Sequence, residues 1–141
     1  LRSNAEQIRK CMEQMDSGAV WLRPNAGSNS AANICLHLAG NLRQLIGHAV
    51  AGQADIRNRD AEFAATEGSS TDQILDRLQE AVEQACAAIE ALEPERLGEE
   101  VVFRQRPWTV FELVHKAVTH FAMHTGQIIY IAKSAGTIRL T

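Results

Sequence analysis

The sequence has 141 residues, enough for one domain with a real core, and its 45% hydrophobic and 22% charged residues are the balance of a globular chain. A formal charge of −3 excludes the strongly basic face of a nucleic-acid binder, and no apolar run of about 18 residues is present to span a membrane. Aromatics are only 5% and Ala, Leu, Gln and Glu are plentiful, which favours helices over sheet.

From about Asn4 to Asp16 apolar side chains recur at Ala5, Ile8, Met12 and Met15, a helical period that Gly18 stops. The chain begins at Leu1 without a methionine, and Leu1 to Asn4 already reads as helix. The natural start is therefore expected upstream, with one domain over 1–141. A turn-rich stretch from Trp21 to Ser30 follows, with Trp21 expected over an end of the bundle. The second helix is capped by one of Ser28 to Ser30, runs to about Val50 and closes at Gly52. Its inward stripe is Ile34, His37/Leu38, Asn41, Leu45 and His48.

Residues from about Gly52 to Ser70 are polar and charged, and read as a long connection with room for one short helix. Crossing from one end of the bundle to the other is a sufficient reason for that length. The third helix opens on the capping box Ser70-Thr-Asp-Gln73 and ends before Pro94 and Gly98. Its stripe, Leu75, Leu78, Val82, Ala85, Ile89 and Leu92, offers no metal ligand. The stretch from Glu99 to Trp108 is β-prone, half of a small hairpin. Thr109-Val-Phe-Glu112 is a second capping box, and the last helix runs to about Ser134. The expectation is an all-α four-helix bundle with a long crossover between its second and third helices.

The last helix carries the chemistry. Its stripe reads Leu113, Ala117, His120, His124, Gln127/Ile128 and Ile131, so two imidazoles four residues apart stack on the core-facing side. Taken singly, each histidine is satisfied by a carbonyl or carboxylate. A stacked pair with no carboxylate evident beside it points to a shared cation. His37 lies roughly 12 Å into the second helix, and His120 and His124 lie roughly 15–21 Å from the end of the last. Antiparallel packing would bring all three to one level. Three neutral imidazoles suit Zn²⁺ or Ni²⁺ and leave a coordination position open for chemistry. Asn41 and Gln127 share the face, where they could hydrogen-bond the ligand rings or hold a substrate.

Other candidates fall away. His48 is too far along its helix for the same ion and reads as a helix-end residue. Glu112 and His115 form only one Glu-x-x-His, half of what a di-iron bundle needs. Phe121 stands where a zinc protease has its glutamate. Cys11, Cys35 and Cys86, widely spaced and odd in number, fit reduced thiols of a cytoplasmic protein and read as small core residues. No secretory signal is visible.

Asn33-Ile-Cys-Leu-His37-Leu-Ala-Gly-Asn41-Leu-Arg, together with His120-x-x-x-His124-Thr-Gly-Gln-Ile, resembles the DinB/YfiT-like superfamily. Arg57-Asn-Arg-Asp-Ala-Glu-Phe63 and Trp21-Leu-Arg-Pro24 resemble one uncharacterised branch of it. The resemblance implies an up-down-down-up bundle, usually a homodimer, with a divalent metal on His37, His120 and His124. Characterised relatives are transferases or isomerases dependent on small thiols. The expected function is a metal-dependent transferase activating a low-molecular-weight thiol toward a small-molecule substrate. The alternatives are a hydrolase using a metal-bound hydroxide and a non-catalytic metal- or ligand-binding stress module.

Overall fold

The computed structural model describes residues 1–136. Helix α1 spans Arg2–Met12 and a short α2 spans Ser17–Trp21. Helix α3, Ala31–Leu42, continues without a break into a π-helical segment, Arg43–Val50, and Gly52 follows at φ +76°. A short α4 covers Arg59–Ala64, and the long helices α5 and α6 cover Thr71–Glu90 and Val110–Ser134. Three helix starts are closed by reciprocal caps: Ser30 with Asn33, Ser70 with Gln73 and Thr109 with Glu112. Each satisfies backbone N–H groups that a helix start leaves without partners.

Side-chain pairs fix the direction of each helix. Arg2 pairs with Glu83 and Glu90 while Arg9 meets Asp76, so α1 and α5 run antiparallel. Arg43 pairs with Glu80, and Gly47, further along, faces Gln84 and Ala88; α3 and α5 therefore run parallel. Parallel neighbours need a chain that returns to the starting end, and the connection from Gly52 to Ser70 provides it. His37 meets His120, while Gln44 bonds Arg104 just before α6, so α6 runs back against α3. The order is up-down-down-up.

The core is continuous through all four long helices, with Ile8, Met12, Leu38, Leu42, Leu45, Ile74, Leu78, Leu113, Phe121 and Ile128 almost fully buried. Cys11, Cys35 and Cys86 are buried free thiols in it. Among the described residues no helix is long and apolar enough to cross a membrane.

Three details differ from expectation. First, the β-prone stretch forms a whole hairpin, β1 Glu100–Phe103 against β2 Arg106–Thr109, turned through Arg104 and Gln105 at φ 50° and 64°. Positive φ at both central residues is the turn whose twist suits a hairpin. Second, the buried stripe of α6 is Leu113, Ala117, Phe121, Thr125, Ile128 and Ala132, rotated from the expected one. His120 and His124 flank it half-buried, and Gln127 is exposed. Third, α1 ends at Met12, short of Asp16.

Candidate metal centre

His37 lies in the middle of α3 and is 6% exposed; His120 and His124 lie one turn apart on α6. The structure brings the three together. His120 Nε2 is 3.2 Å from His37 Nε2 and 3.1 Å from His124 Nε2, and one ligand atom from each ring lies within 4.8 Å of the others. Among the described residues this is the one such grouping of metal-ligating side chains.

The outer nitrogens are held differently. His124 Nδ1 is 2.6 Å from Gln127 Oε1, its neighbour one turn later. His37 Nδ1 is 3.1 Å from Glu62 Oε2 on α4, and Phe63 packs against the His37 ring with centroids 4.8 Å apart. His120 Nδ1 is buried without a hydrogen-bond partner among the described residues. Of the other residues singled out from sequence, Asn41 is buried one turn beyond His37 but joins none of these hydrogen bonds. His48 is half-buried, with its Nδ1 2.7 Å from the Gln53 carbonyl. Glu112 accepts from the backbone N–H of Thr109 in the α6 capping box, and His115 is exposed on Phe111.

Behind His37 stands a buried ion pair that composition and spacing did not reveal. Arg57 donates from Nε to Glu62 Oε1 and from Nη2 to Glu62 Oε2, both at 2.8 Å, and from Nη1 to Gln44 Oε1 at 3.0 Å. The two charged side chains are 3% and 9% exposed. Glu62 is carried there by α4, whose cap is Asn58, and by Asn33, whose Nδ2 donates to the carbonyls of Glu62 and Ala65. The same pair lines a cavity of about 800 Å³ between α3, the connection and α5, which also holds Arg43, Gln44, Arg77 and Glu80 but none of the three histidines. The cavity therefore lies beyond the pair from the rings.

Electrostatics keep the rings ready for a cation. Burial, then the facing rings of His124 and His37, push the His120 imidazole down to about 4. Burial lowers His124 as well, against the opposing hydrogen bond that its ring gives to Gln127. Burial alone would raise Glu62, but its bonds from Arg57 and His37 win and hold the carboxyl below its ordinary value. Near neutral pH a buried carboxylate stands behind the cluster, and the His120 and His124 rings are uncharged.

The residues fit a divalent ion. A metal about 2.0–2.1 Å from each ligand nitrogen sets neighbouring nitrogens about 3.3 Å apart, close to the spacing found. All three rings offer Nε2, and two have acceptors at Nδ1, the arrangement that orients metal-bound histidines. His120 and His124 were legible as an i, i+4 pair. Glu62 was not, because a carboxylate in a charged connection reads as solvated. The opposite charges of Arg57 and Glu62, in a segment that must lie across the bundle, were the available signal.

The profile of a family described as "Protein of unknown function (DUF1572)" matches residues 1–138. No curated protein matches the sequence. Among solved structures, the chain is similar to a DinB-like protein (YjoA) from Bacillus subtilis, with TM-score 0.74, 20% identity and coverage of 99% of this chain and 90% of that one. A DinB-like protein from Bacillus cereus gives TM-score 0.69, 14% identity and 98% and 91% coverage. A conserved protein from Enterococcus faecalis gives 0.77, 17%, and 94% and 90%. At these identities the likeness establishes the fold, and the DUF1572 match spans nearly the whole chain. The chain belongs to the DUF1572 family and has the DinB-like fold.

Proposed function

We propose that the protein is a metal-dependent enzyme, a transferase that activates a low-molecular-weight thiol at a Zn²⁺ or Ni²⁺ centre held by His37, His120 and His124. One observation carries this reading: three imidazole Nε2 atoms from two helices converge, with neighbours 3.1–3.2 Å apart. A divalent ion bound there would act as a Lewis acid, lowering the pKa of a thiol brought to its open position.

The chain's own residues favour an external nucleophile. Its three thiols are buried in the core, and burial pushes Cys35 up to about 12. The nearest carboxylate, Glu62, is taken up by Arg57 and His37 and is not free to accept a proton from water. A thiol, with an ordinary pKa near about 8.5, needs less help to ionise than water does. That preference places a thiol transferase ahead of a hydrolase. Gln127 orients His124, and Asn41 is proposed to hold the substrate.

The proposal includes a homodimer in the cytoplasm. Helix α6 exposes Phe111, Val118, Met123 and Tyr130, the last 73% exposed, whereas α1 exposes Arg2, Glu6, Gln7 and Lys10. Apolar exposure of that kind marks an association surface, and Tyr130→Glu is expected to give a monomer by sedimentation.

Metal analysis of the purified protein tests the centre. About one Zn²⁺ or Ni²⁺ per chain is expected, as for a three-ligand site, with loss of the ion in His124→Ala. Full occupancy in that variant refutes the ligand set. Screening loaded protein with small thiols and a generic electrophile tests the reaction; turnover without a thiol favours hydrolysis instead.

A further inference from the structure

Two groups approach His37 Nδ1 that demand opposite things of it. Glu62 Oε2, 3.1 Å away, can only accept a hydrogen bond, and Arg57 Nη2, 3.0 Å away, can only donate one. A single ring nitrogen carries either a hydrogen or a lone pair, so one of the two contacts is made at a time. The choice decides the other end of the ring. If Nδ1 carries the hydrogen, Nε2 presents a lone pair to the cluster. If Nδ1 accepts from Arg57, the hydrogen sits on Nε2, where a metal would have to bind.

The surrounding bonds decide the matter. Arg57 already donates to both oxygens of Glu62 and to Gln44, so it has acceptors without the ring. Glu62 has no comparable surplus of donors: Arg57 and the His37 N–H are the side-chain partners of its buried carboxylate. Phe63, the residue after Glu62, packs against the same ring. We propose that Glu62 is a positioning residue that locks His37 as the Nδ1–H tautomer and so aims its Nε2 lone pair into the histidine cluster, and that Gly40 is glycine to admit it.

The second half rests on a close approach. A Cβ at position 40 would stand 1.9 Å from Glu62 Oε1 and 2.9 Å from its Cδ, far inside contact distance. Gly40 lies three residues after His37 on α3, on the cavity side. Its bare backbone lets the carboxylate lie flat against the helix that carries the ring it orients. The helix accepts a glycine in its interior, at a cost of about 1 kcal/mol relative to alanine, and gains room for the carboxylate.

The inference deepens the reading of the cluster as a metal centre, yet its decisive test needs no metal. Histidine side-chain ¹⁵N NMR of the metal-free wild type is expected to show His37 protonated on Nδ1. In Glu62→Ala the neighbour left beside Nδ1 is the Arg57 donor, and the hydrogen is expected on Nε2. Gly40→Ala, which keeps the ion pair in the sequence but displaces the carboxylate, is expected to shift the tautomer the same way. Zn²⁺ titration should then show affinity reduced about 10–100-fold in each variant, the range for lost outer hydrogen bonds to a ligand. The double variant should lose little more than either single, because both remove one contact.

A wild-type His37 protonated on Nε2 overturns the proposal, and that spectrum is decisive even if Glu62→Ala does not fold. An unchanged Nδ1–H tautomer in a folded Gly40→Ala or Glu62→Ala protein overturns it too. Wild-type protein with Nδ1–H and no uptake of Zn²⁺ upholds the tautomer lock while refuting the metal centre.

Discussion

The two sides of the histidine cluster are built by different means. On the α6 side, His120 and His124 come from one helix, their spacing is set by helical geometry, and their one outer partner among the described residues is Gln127, three residues beyond His124. On the α3 side, His37 is backed by Glu62, Arg57, Gln44 and Phe63, which the connection and α4 carry across from elsewhere in the chain. The first side needs only a formed helix; the second needs the whole fold. The α6 side is half-buried and locally determined, while the α3 side places a salt bridge 3% and 9% exposed behind a nearly buried ring. Damage to the two sides should therefore look different: loss of binding on one, loss of stability together with binding on the other.

The largest expected effect treats both sides alike. His120→Ala and His37→Ala should each reduce bound metal from about one ion per chain to background, because two imidazoles fall short of the three protein ligands that an open site needs. Equal retention of metal in either would break the cluster apart as a functional unit. The next effect separates the sides. Arg57→Ala leaves the Glu62 carboxylate buried without its guanidinium, and removing one partner of a buried pair costs about 3–5 kcal/mol. Chemical denaturation should show that loss, whereas a Gln127→Ala protein should unfold within about 0.5 kcal/mol of wild type, as for an exposed side chain. Arg57→Ala as stable as wild type would show that the wall behind His37 is not what holds that side.

Acidification sharpens the same contrast in metal-free protein. His120 and His124 have folded pKa values below the ordinary 6.5, His120 at about 4, so the unfolded chain binds more protons across that window. Stability is therefore intact above 6.5 and falls as pH drops toward 4, by on the order of 1 kcal/mol once the screening of half-exposed rings is discounted. Glu62, lowered from 4.5, contributes stability above that value and loses it only as pH falls further, through its folded pKa. Denaturation midpoints measured from pH 7 to 3 should thus fall in two stages. Replacing His120 should shrink the first stage, replacing His124 as well should remove it, and the second should remain.

The same division governs what could be read from the amino acids. The helices were legible because apolar period and caps are local: Ser70 with Gln73 and Thr109 with Glu112 stand where expected. So was the α6 pair. His37 was reachable by counting turns, since antiparallel helices bring equal depths together. Glu62 and Arg57 escaped because nothing within a few residues tells a solvated carboxylate from one folded under α3. Gly40 escaped for the same reason; its meaning lies in a side chain 22 positions away, whose oxygen a Cβ would meet at 1.9 Å. The rotation of the α6 stripe packs Phe121 and Thr125 inward and leaves the histidines half-buried on its flank, which apolar period alone does not decide.

The smallest effect probes whether that open side has any positioning of its own. Gln127 accepts from His124 Nδ1 at 2.6 Å, which would leave the Nε2 lone pair turned to His120. In this it resembles Glu62 opposite His37, but the setting is weaker in two respects. The acceptor is a neutral amide, not a carboxylate, and it is exposed, so water replaces it readily when it is removed. Gln127→Ala should consequently lower Zn²⁺ affinity less than about 10-fold, the bottom of the range for outer-sphere partners. Gln127→Glu, which puts a charge on the acceptor, should raise affinity above wild type. A loss in Gln127→Ala as large as that from removing Glu62 would mean that both flanks orient their rings equally, and that burial of the Arg57–Glu62 pair serves stability alone.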